Sequence, residues 1–240
     1  MFKNLISIFF TLILVSCGEI IQPTLDTFKV EKDVFESGKS LISLPFDLHD
    51  LEEVTVDQNT LLVGVHGSNS RGYEWIYPLQ TLNDDNNIVS FFRWDDDACP
   101  APSVSSLQSL IEKKISDNPN LNKIVLLGHS YGGLLVVAFA EAWEMDFPLQ
   151  IHSIAAPLAG MGIFTSICNY EVPNNLRDNI ELYQWRTIKE LDGVFSDLDY
   201  DPQVVQIINS KVTRLPETYK GNKLGHNWSI SWVADEIINY

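Results

Sequence analysis

Six short apolar runs punctuate the chain, at residues 60–65 (Thr-Leu-Leu-Val-Gly-Val), 88–94, 123–127, 151–155, 180–188 and 211–215. Each is rich in Val, Ile, Leu and aromatic residues and bounded by polar residues, Gly or Pro. That is the pattern of strands buried in a sheet. Between them lie stretches with helical spacing, at 73–82, 104–117, 132–144 and 228–238. Within 104–117, Leu107, Leu110, Ile111 and Ile115 share one face, and Ser103 stands before it as the expected cap. Strand and helix alternate, which predicts a single α/β domain with a mainly parallel sheet and helices on both faces. Residues 157–179 contain Gly, Pro and Asn without periodicity and read as an irregular insertion over one end of the sheet.

The amino terminus has a different pattern. One positive charge, Lys3, precedes the apolar run 5–15, too short to cross a bilayer core of about 30 Å as a helix but suited to the centre of a secretion signal. The run ends in Val15-Ser16-Cys17-Gly18. This resembles the bacterial lipoprotein signal, in which the leader is cut before a cysteine whose thiol takes a diacylglycerol. The resemblance implies a leader at 1–16, lipidation at Cys17, a tether over 17–35 and a folded domain at 36–240. It also implies a lipid-anchored protein of the bacterial cell envelope, with Gly18 favouring the outer membrane in a Gram-negative source.

Composition narrows the function classes. The chain has 240 residues, 45% hydrophobic and 20% charged, enough for one α/β domain with a substantial core. With 32 Asp and Glu against 16 Lys and Arg, the net charge is −16, or −17 once the leader takes Lys3 away. Phosphate would repel such a chain, and no basic stretch offers an exception, so nucleic acid is excluded as a partner. Cys99 and Cys168 lack Cys or His neighbours at zinc-ligand spacing. In an oxidising compartment they are expected to pair across the site and stiffen the insertion. The acidic run Asp95-Asp96-Asp97 and the aspartates at 197, 199 and 201 lack the spacing of a calcium loop, so no metal and no cofactor is expected.

The chemistry concentrates at Gly128-His129-Ser130-Tyr131-Gly132-Gly133, which follows the run 123–127 and opens the apolar helix. This is a G-x-S-x-G nucleophile elbow in its strand–turn–helix setting. Gly128 and Gly132 are needed where a Cβ would strike backbone, and Ser130 is the nucleophile. The base must be one of five histidines. His66 precedes Gly67 after the first predicted strand and suits an oxyanion loop, while His129 sits inside the elbow, turned away from the serine. His49 lies before the core strands and His152 within one, which leaves His226, between the last strand and the last helix. The orienting acid is expected at Asp192, in the turn Asp192-Gly193 after the penultimate strand, with Asp197, Asp199 and Asp201 as competitors. Asp199 and Asp201 also fit a turn or the cap of a helix from Gln203. Two backbone N–H groups must face the developing oxyanion, and these are expected from Tyr131 and Ser68.

Taken together, Val65-His66-Gly67-Ser68, Trp75, the elbow, Asp192-Gly193 and Gly225-His226 resemble the α/β-hydrolase superfamily on its lipase and esterase side, over roughly residues 58–240. The resemblance implies the α/β-hydrolase fold and metal-independent attack on a carbonyl carbon, but transmits no substrate. Only about 25 residues follow 151–155 before the next strand, too few for a large lid domain, so the sheet is expected to carry a short cap. The expected function is cleavage of carboxylic esters, borne by a small molecule or a lipid, through Ser130, His226 and Asp192. A peptidase, amidase or thioesterase on the same residues and a silent binding lipoprotein are the alternatives. Arg71 and Tyr73 stand where they could touch substrate, whereas Trp228 and Trp232 read as core.

Overall fold

The computed structural model describes residues 23–31, 33–162 and 167–239. Its framework is a seven-stranded sheet built from β1 (Asp47–Asp50), β2 (Thr60–Val65), β3 (Asn87–Arg93), β4 (Lys123–His129), β5 (Leu149–Ile154), β6 (Ile180–Arg186) and β7 (Lys211–Arg214). The order is β1-β3-β2-β4-β5-β6-β7; β1 pairs antiparallel with β3 and every other pair is parallel. A two-stranded hairpin, β8 (Thr218–Tyr219) and β9 (Asn222–Lys223), stands apart. The helices are α1 (Val34–Ile42), α2 (Tyr73–Thr81), α3 (Pro100–Asp117), α4 (Tyr131–Ala142) and α5 (Trp228–Ile238). Among the described residues, no helix is long and apolar enough to cross a membrane.

The central strands are apolar on both faces because helices cover both. Leu107, Ile111, Leu134 and Phe139 of α3 and α4 close one core; Leu41, Trp75, Ile76, Ile230 and Val233 of α1, α2 and α5 close the other. The edge strands instead carry charge, Asp47 and Asp50 in β1 and Lys211 and Arg214 in β7, which blunts their unpaired edges. Register then builds the site. Val65 lies opposite Gly128, and Gly128 opposite Ser153, so β2, β4 and β5 end level and their carboxyl-end loops meet.

Several expectations need correction. Helix α3 begins at Pro100 with Cys99 as its N-cap, so Ser103 is a buried helix residue and not the cap; proline suits the first helical turn because its missing N–H has no partner there. His49 lies before the core strands, but in an edge strand, β1, that the apolar pattern did not reveal. No helix starts at Gln203, whose side chain is buried under the acid loop.

The stretch read as tether also differs over its described part. A turn of 3-10 helix at Leu25–Thr27 docks on the domain, with Leu25 and Phe28 buried in the second core. The Leu25 N–H donates to the Leu51 carbonyl at 3.0 Å, and the Gln80 amide donates to the carbonyls of Leu25 and Phe28. Helix α1 begins at Val34, at the end of that stretch. Two apolar anchors three residues apart are too few to register as a periodic pattern. The leader and Cys17 lie outside the described residues.

Candidate active site

Ser130 occupies the turn between β4 and α4 with φ 54° and ψ −120°, a conformation that L residues rarely adopt. The turn survives because its neighbours are glycines. A Cβ at Gly128 would lie 2.3 Å from the Gly132 carbonyl oxygen, and one at Gly132 would lie 2.3 Å from that of Val65. The Ser130 N–H donates to the Ile154 carbonyl at 2.9 Å, which ties the elbow to β5. Tyr131 packs on Trp94 and donates its hydroxyl to the Ala98 carbonyl at 2.9 Å. Burial pushes the Tyr131 phenol up to about 12, so this donor persists across the ordinary pH range.

His226 and Ser130 line one cavity of about 500 Å³ together with Gly67, Ser68, Arg71, Tyr73 and Tyr131. Among the described residues no hydrogen bond joins Ser130 Oγ to His226; in unliganded sites that contact commonly closes only with substrate bound. Behind His226 lies Asp192, with 0% exposure. Its Oδ2 accepts from His226 Nδ1 at 2.9 Å and from the Thr187 hydroxyl at 2.6 Å, while Oδ1 accepts from the Val194 N–H at 2.9 Å. Burial alone would raise the Asp192 pKa, but these hydrogen bonds and the pairing with His226 outweigh it and leave the carboxyl below its ordinary range. Asp192 therefore stays ionised and holds the His226 proton on Nδ1, leaving Nε2 as the basic nitrogen.

The competing aspartates lie elsewhere. Asp201 pairs with Arg214 at 3.2 Å and accepts from the Gln203 N–H, while Asp197 and Asp199 are exposed. Gln203 is one of the residues sequence reasoning missed. Its side chain exchanges two hydrogen bonds with the Thr187 backbone, 2.8 Å from N–H and 3.1 Å to the carbonyl, and so anchors the threonine that holds Asp192.

The loop after β2, expected to carry an oxyanion N–H, is held as firmly. Gly67 abuts Ser130, since a Cβ there would lie 2.8 Å from Ser130 Cβ. His66 Nδ1 donates to the Gly67 carbonyl at 2.9 Å. In a planar trans peptide the carbonyl and the following N–H point in opposite directions, so this bond turns the Ser68 N–H the other way. His66 Nε2 accepts from Arg93 Nη1 at 2.5 Å and from the Trp94 N–H at 3.4 Å, which sets its tautomer. Burial, helped by the nearby Arg93 charge, outweighs the hydrogen bond to Gly67 and lowers the His66 pKa to about 4, so the ring is neutral. Asp96 accepts from the Asn69 N–H at 2.7 Å and pins the far side of the loop. The run Asp95-Asp96-Asp97 was the only sequence signal for this contact, and Arg93 gave none.

The remaining histidines are structural. His129 is buried and contacts the His226 carbonyl through Nε2 at 3.1 Å; burial, then the His226 charge, keeps its pKa well below the ordinary value. The Ser229 hydroxyl shares that carbonyl at 2.5 Å, so the base loop is held from two sides. His152 stacks between strands on Tyr183 and accepts from the Trp185 indole at 3.0 Å, with its pKa lowered by burial to about 3. His49 Nε2 meets the Pro45 carbonyl at 2.8 Å. Cys99 and Cys168 form a disulfide with Cα atoms 5.3 Å apart, joining the start of α3 to the cap segment. Trp232 packs edge-on against Trp185 as core, but Trp228 is 45% exposed and lines a groove, contrary to the expectation for it. Among the described residues no cluster of three or more His, Cys, Asp or Glu side chains could hold a metal ion.

No protein-family model matches this chain, and no curated protein does. Solved structures do. Est1E from Butyrivibrio proteoclasticus superposes with a TM-score of 0.55 at 14% identity, covering 80% of this chain and 90% of that one. XC6422 from Xanthomonas campestris, described as an α/β serine hydrolase without lid, gives 0.51 at 15% identity over 80% and 85%. A lipase-esterase related protein from Clostridium acetobutylicum gives 0.51 at 14% identity over 80% and 99%. The chain has the α/β-hydrolase fold. At these identities the likeness is one of fold, so its chemistry rests on its own residues.

Proposed function

We propose that this protein is a serine hydrolase of carboxylic esters. The observation that carries the reading is the strained Ser130 sharing a cavity with His226, whose Nδ1 is held at 2.9 Å by the fully buried Asp192. His226 Nε2 takes the Ser130 proton as Oγ attacks the ester carbonyl carbon, and the carbonyl oxygen becomes an oxyanion facing the Ser68 and Tyr131 amides. The C–O bond to the alcohol then breaks, and His226 returns its proton to the departing alkoxide, leaving an acyl-Ser130. Water, deprotonated by His226, attacks this ester; its collapse releases the acid and restores the Ser130 hydroxyl. Supporting the ester class, Est1E is known with ferulic acid bound, and the Clostridium acetobutylicum protein that superposes on this chain is called lipase-esterase related.

The test is labelling with a fluorophosphonate probe, followed by turnover of p-nitrophenyl esters of increasing chain length. Labelling and turnover are expected in the wild type and lost in Ser130→Ala and His226→Ala. Folded wild-type protein that does not label would overturn the reading, and labelling without ester turnover would move it to amide or thioester substrates. We propose further that the protein is lipid-anchored through Cys17 in a bacterial envelope, on the leader pattern at 1–16. Incorporation of labelled palmitate in cells, lost in Cys17→Ser, is the expected result; equal labelling of both forms, or none, would overturn it.

A further inference from the structure

Beside the reaction cavity lies a second one of about 460 Å³ that the mechanism above does not use. It is bounded by α1, α2, the β8–β9 hairpin and the start of α5, and five aromatic rings line it. Phe35 and Tyr73 form one ring pair, with centroids 4.8 Å apart, and Tyr219 and Trp228 form another at 5.8 Å. Val30 and Val34 extend the apolar wall. Phe35 is 56% exposed and Trp228 45%, so large apolar surface from two separate elements stands open in one groove. Lys220 is already engaged, its ammonium over the Tyr77 and Tyr219 rings and paired with Asp235 at 3.2 Å, so it adds no free charge to the groove.

The groove adjoins the reaction cavity: Tyr73, Glu74 and Asn227 line both. Asn227 donates to the Tyr73 hydroxyl at 3.1 Å across this shared wall. Asn227 directly follows His226, so the shared wall stands on the histidine's side of Ser130. In acylation that is the side of the departing oxygen, because His226 must protonate it. Pro157 and Met161 line the reaction cavity but not the groove, and are left for the acyl group.

We propose that this groove binds the alcohol portion of the ester, and that the alcohol it favours is a bulky, ring-bearing apolar one. The assignment rests on the serine hydrolase reading and goes beyond it by naming which half of the substrate is selected and by which residues. Trp228 and Phe35, from separate elements, are specificity residues that touch the leaving group without taking part in bond making.

The test compares kcat/KM for methyl acetate, 2-naphthylmethyl acetate and methyl 2-naphthoate, in which the ring sits on neither side, the alcohol side or the acyl side. Both alcohols are alkyl alcohols, so leaving-group chemistry is closely matched. Trp228→Ala and Phe35→Ala are each expected to lower the preference for 2-naphthylmethyl acetate over methyl acetate about tenfold. The preference for methyl 2-naphthoate over methyl acetate should move less than twofold, and Trp228→Phe should restore most of the alcohol preference. Phe35→Ala lies far along the chain from the catalytic loops, so a folding defect at Trp228 would not decide the matter. A fall confined to the acyl preference would assign the groove to the acid, and unchanged preferences in both variants would overturn its use altogether. Turnover that survives in Ser130→Ala would instead overturn the underlying hydrolase reading, a failure recognisable in the parent enzyme before any groove variant is made.

Discussion

Asp192→Asn removes one charge and almost no volume, and the structure says why so small a change should disable the site. An amide cannot reproduce a carboxylate that accepts on both oxygens. If the Asn oxygen takes the Oδ1 position to satisfy the Val194 N–H, the amide NH2 takes the Oδ2 position and faces His226 Nδ1. The Thr187 hydroxyl can rotate to accept from that NH2, but His226 Nδ1 can do so only by losing its proton. The imidazole is then protonated on Nε2 and has no lone pair for the Ser130 proton. In the flipped orientation the NH2 confronts the Val194 N–H, two donors in a dry pocket, at about 1–3 kcal/mol. The first orientation wins, so the wrong tautomer dominates. The expected loss in kcat is about 1,000- to 10,000-fold, equivalent to ~4–5.5 kcal/mol of barrier. Steady-state kinetics with p-nitrophenyl acetate, alongside the rate of fluorophosphonate labelling and a thermal melt to verify folding, would measure it. A folded Asp192→Asn variant within tenfold of the wild type would refute the reasoning, as would an equal loss in Asp197→Asn or Asp201→Asn.

Four other outcomes follow from the same geometry. Gly67→Ala sets a methyl group 2.8 Å from Ser130 Cβ, so kcat should fall about 100-fold or more while the thermal melt stays cooperative; near-normal turnover would show that the loop has room. His66→Leu frees the Gly67 carbonyl and with it the Ser68 N–H, so kcat should fall about 100-fold with KM changed less than threefold, and a change confined to KM would contradict an oxyanion role. Replacing Cys99 and Cys168 by Ser opens a loop of sequence separation 69, a loss of roughly 4 kcal/mol from chain entropy and about 8–16 °C in Tm, which calorimetry would detect and an unchanged Tm would deny. Finally, His66, His129 and His152 are buried neutral with lowered pKa values, so the unfolded chain binds more protons as pH falls below about 6.5. Stability present above that pH is lost on acidification, by ~2 kcal/mol per histidine down to pH 5; a urea midpoint flat between pH 7 and 5 would count against it.

The legibility of this protein in its sequence follows from the range of the interactions involved. Strands β2 to β6 were visible because burial on both faces demands continuous apolar runs, whatever the neighbouring strand turns out to be. The elbow was visible because its backbone constraint is local: Ser130 with φ 54° needs Gly128 and Gly132 within two residues. Strand β1 escaped, since Asp47-Leu48-His49-Asp50 is an edge whose pairing with β3 supplies what its composition lacks. The docked segment around Leu25 and Phe28 escaped for a related reason, because its stability comes from partners at Leu51 and Gln80.

The same division holds within the site. From the chain order alone, Ser130, Asp192 and His226 stand out as candidate nucleophile, acid and base, with Asp197, Asp199 and Asp201 competing for the acid, because each of the three lies within two residues of a glycine and follows a predicted strand or turn. Folding alone decided what supports them. Arg93 and Trp94 lie 27 and 28 residues from the His66 they orient, Gln203 lies 16 from Thr187, and His129 lies 97 from the His226 carbonyl it meets. Folding also turned Trp228 outward into a groove that reaches back to α1, although helical spacing places it with the core. A residue's own chemistry and backbone needs are written at its position. Its partners are set by a register such as Val65 against Gly128, which exists only once the sheet has formed and brought distant loops to one edge.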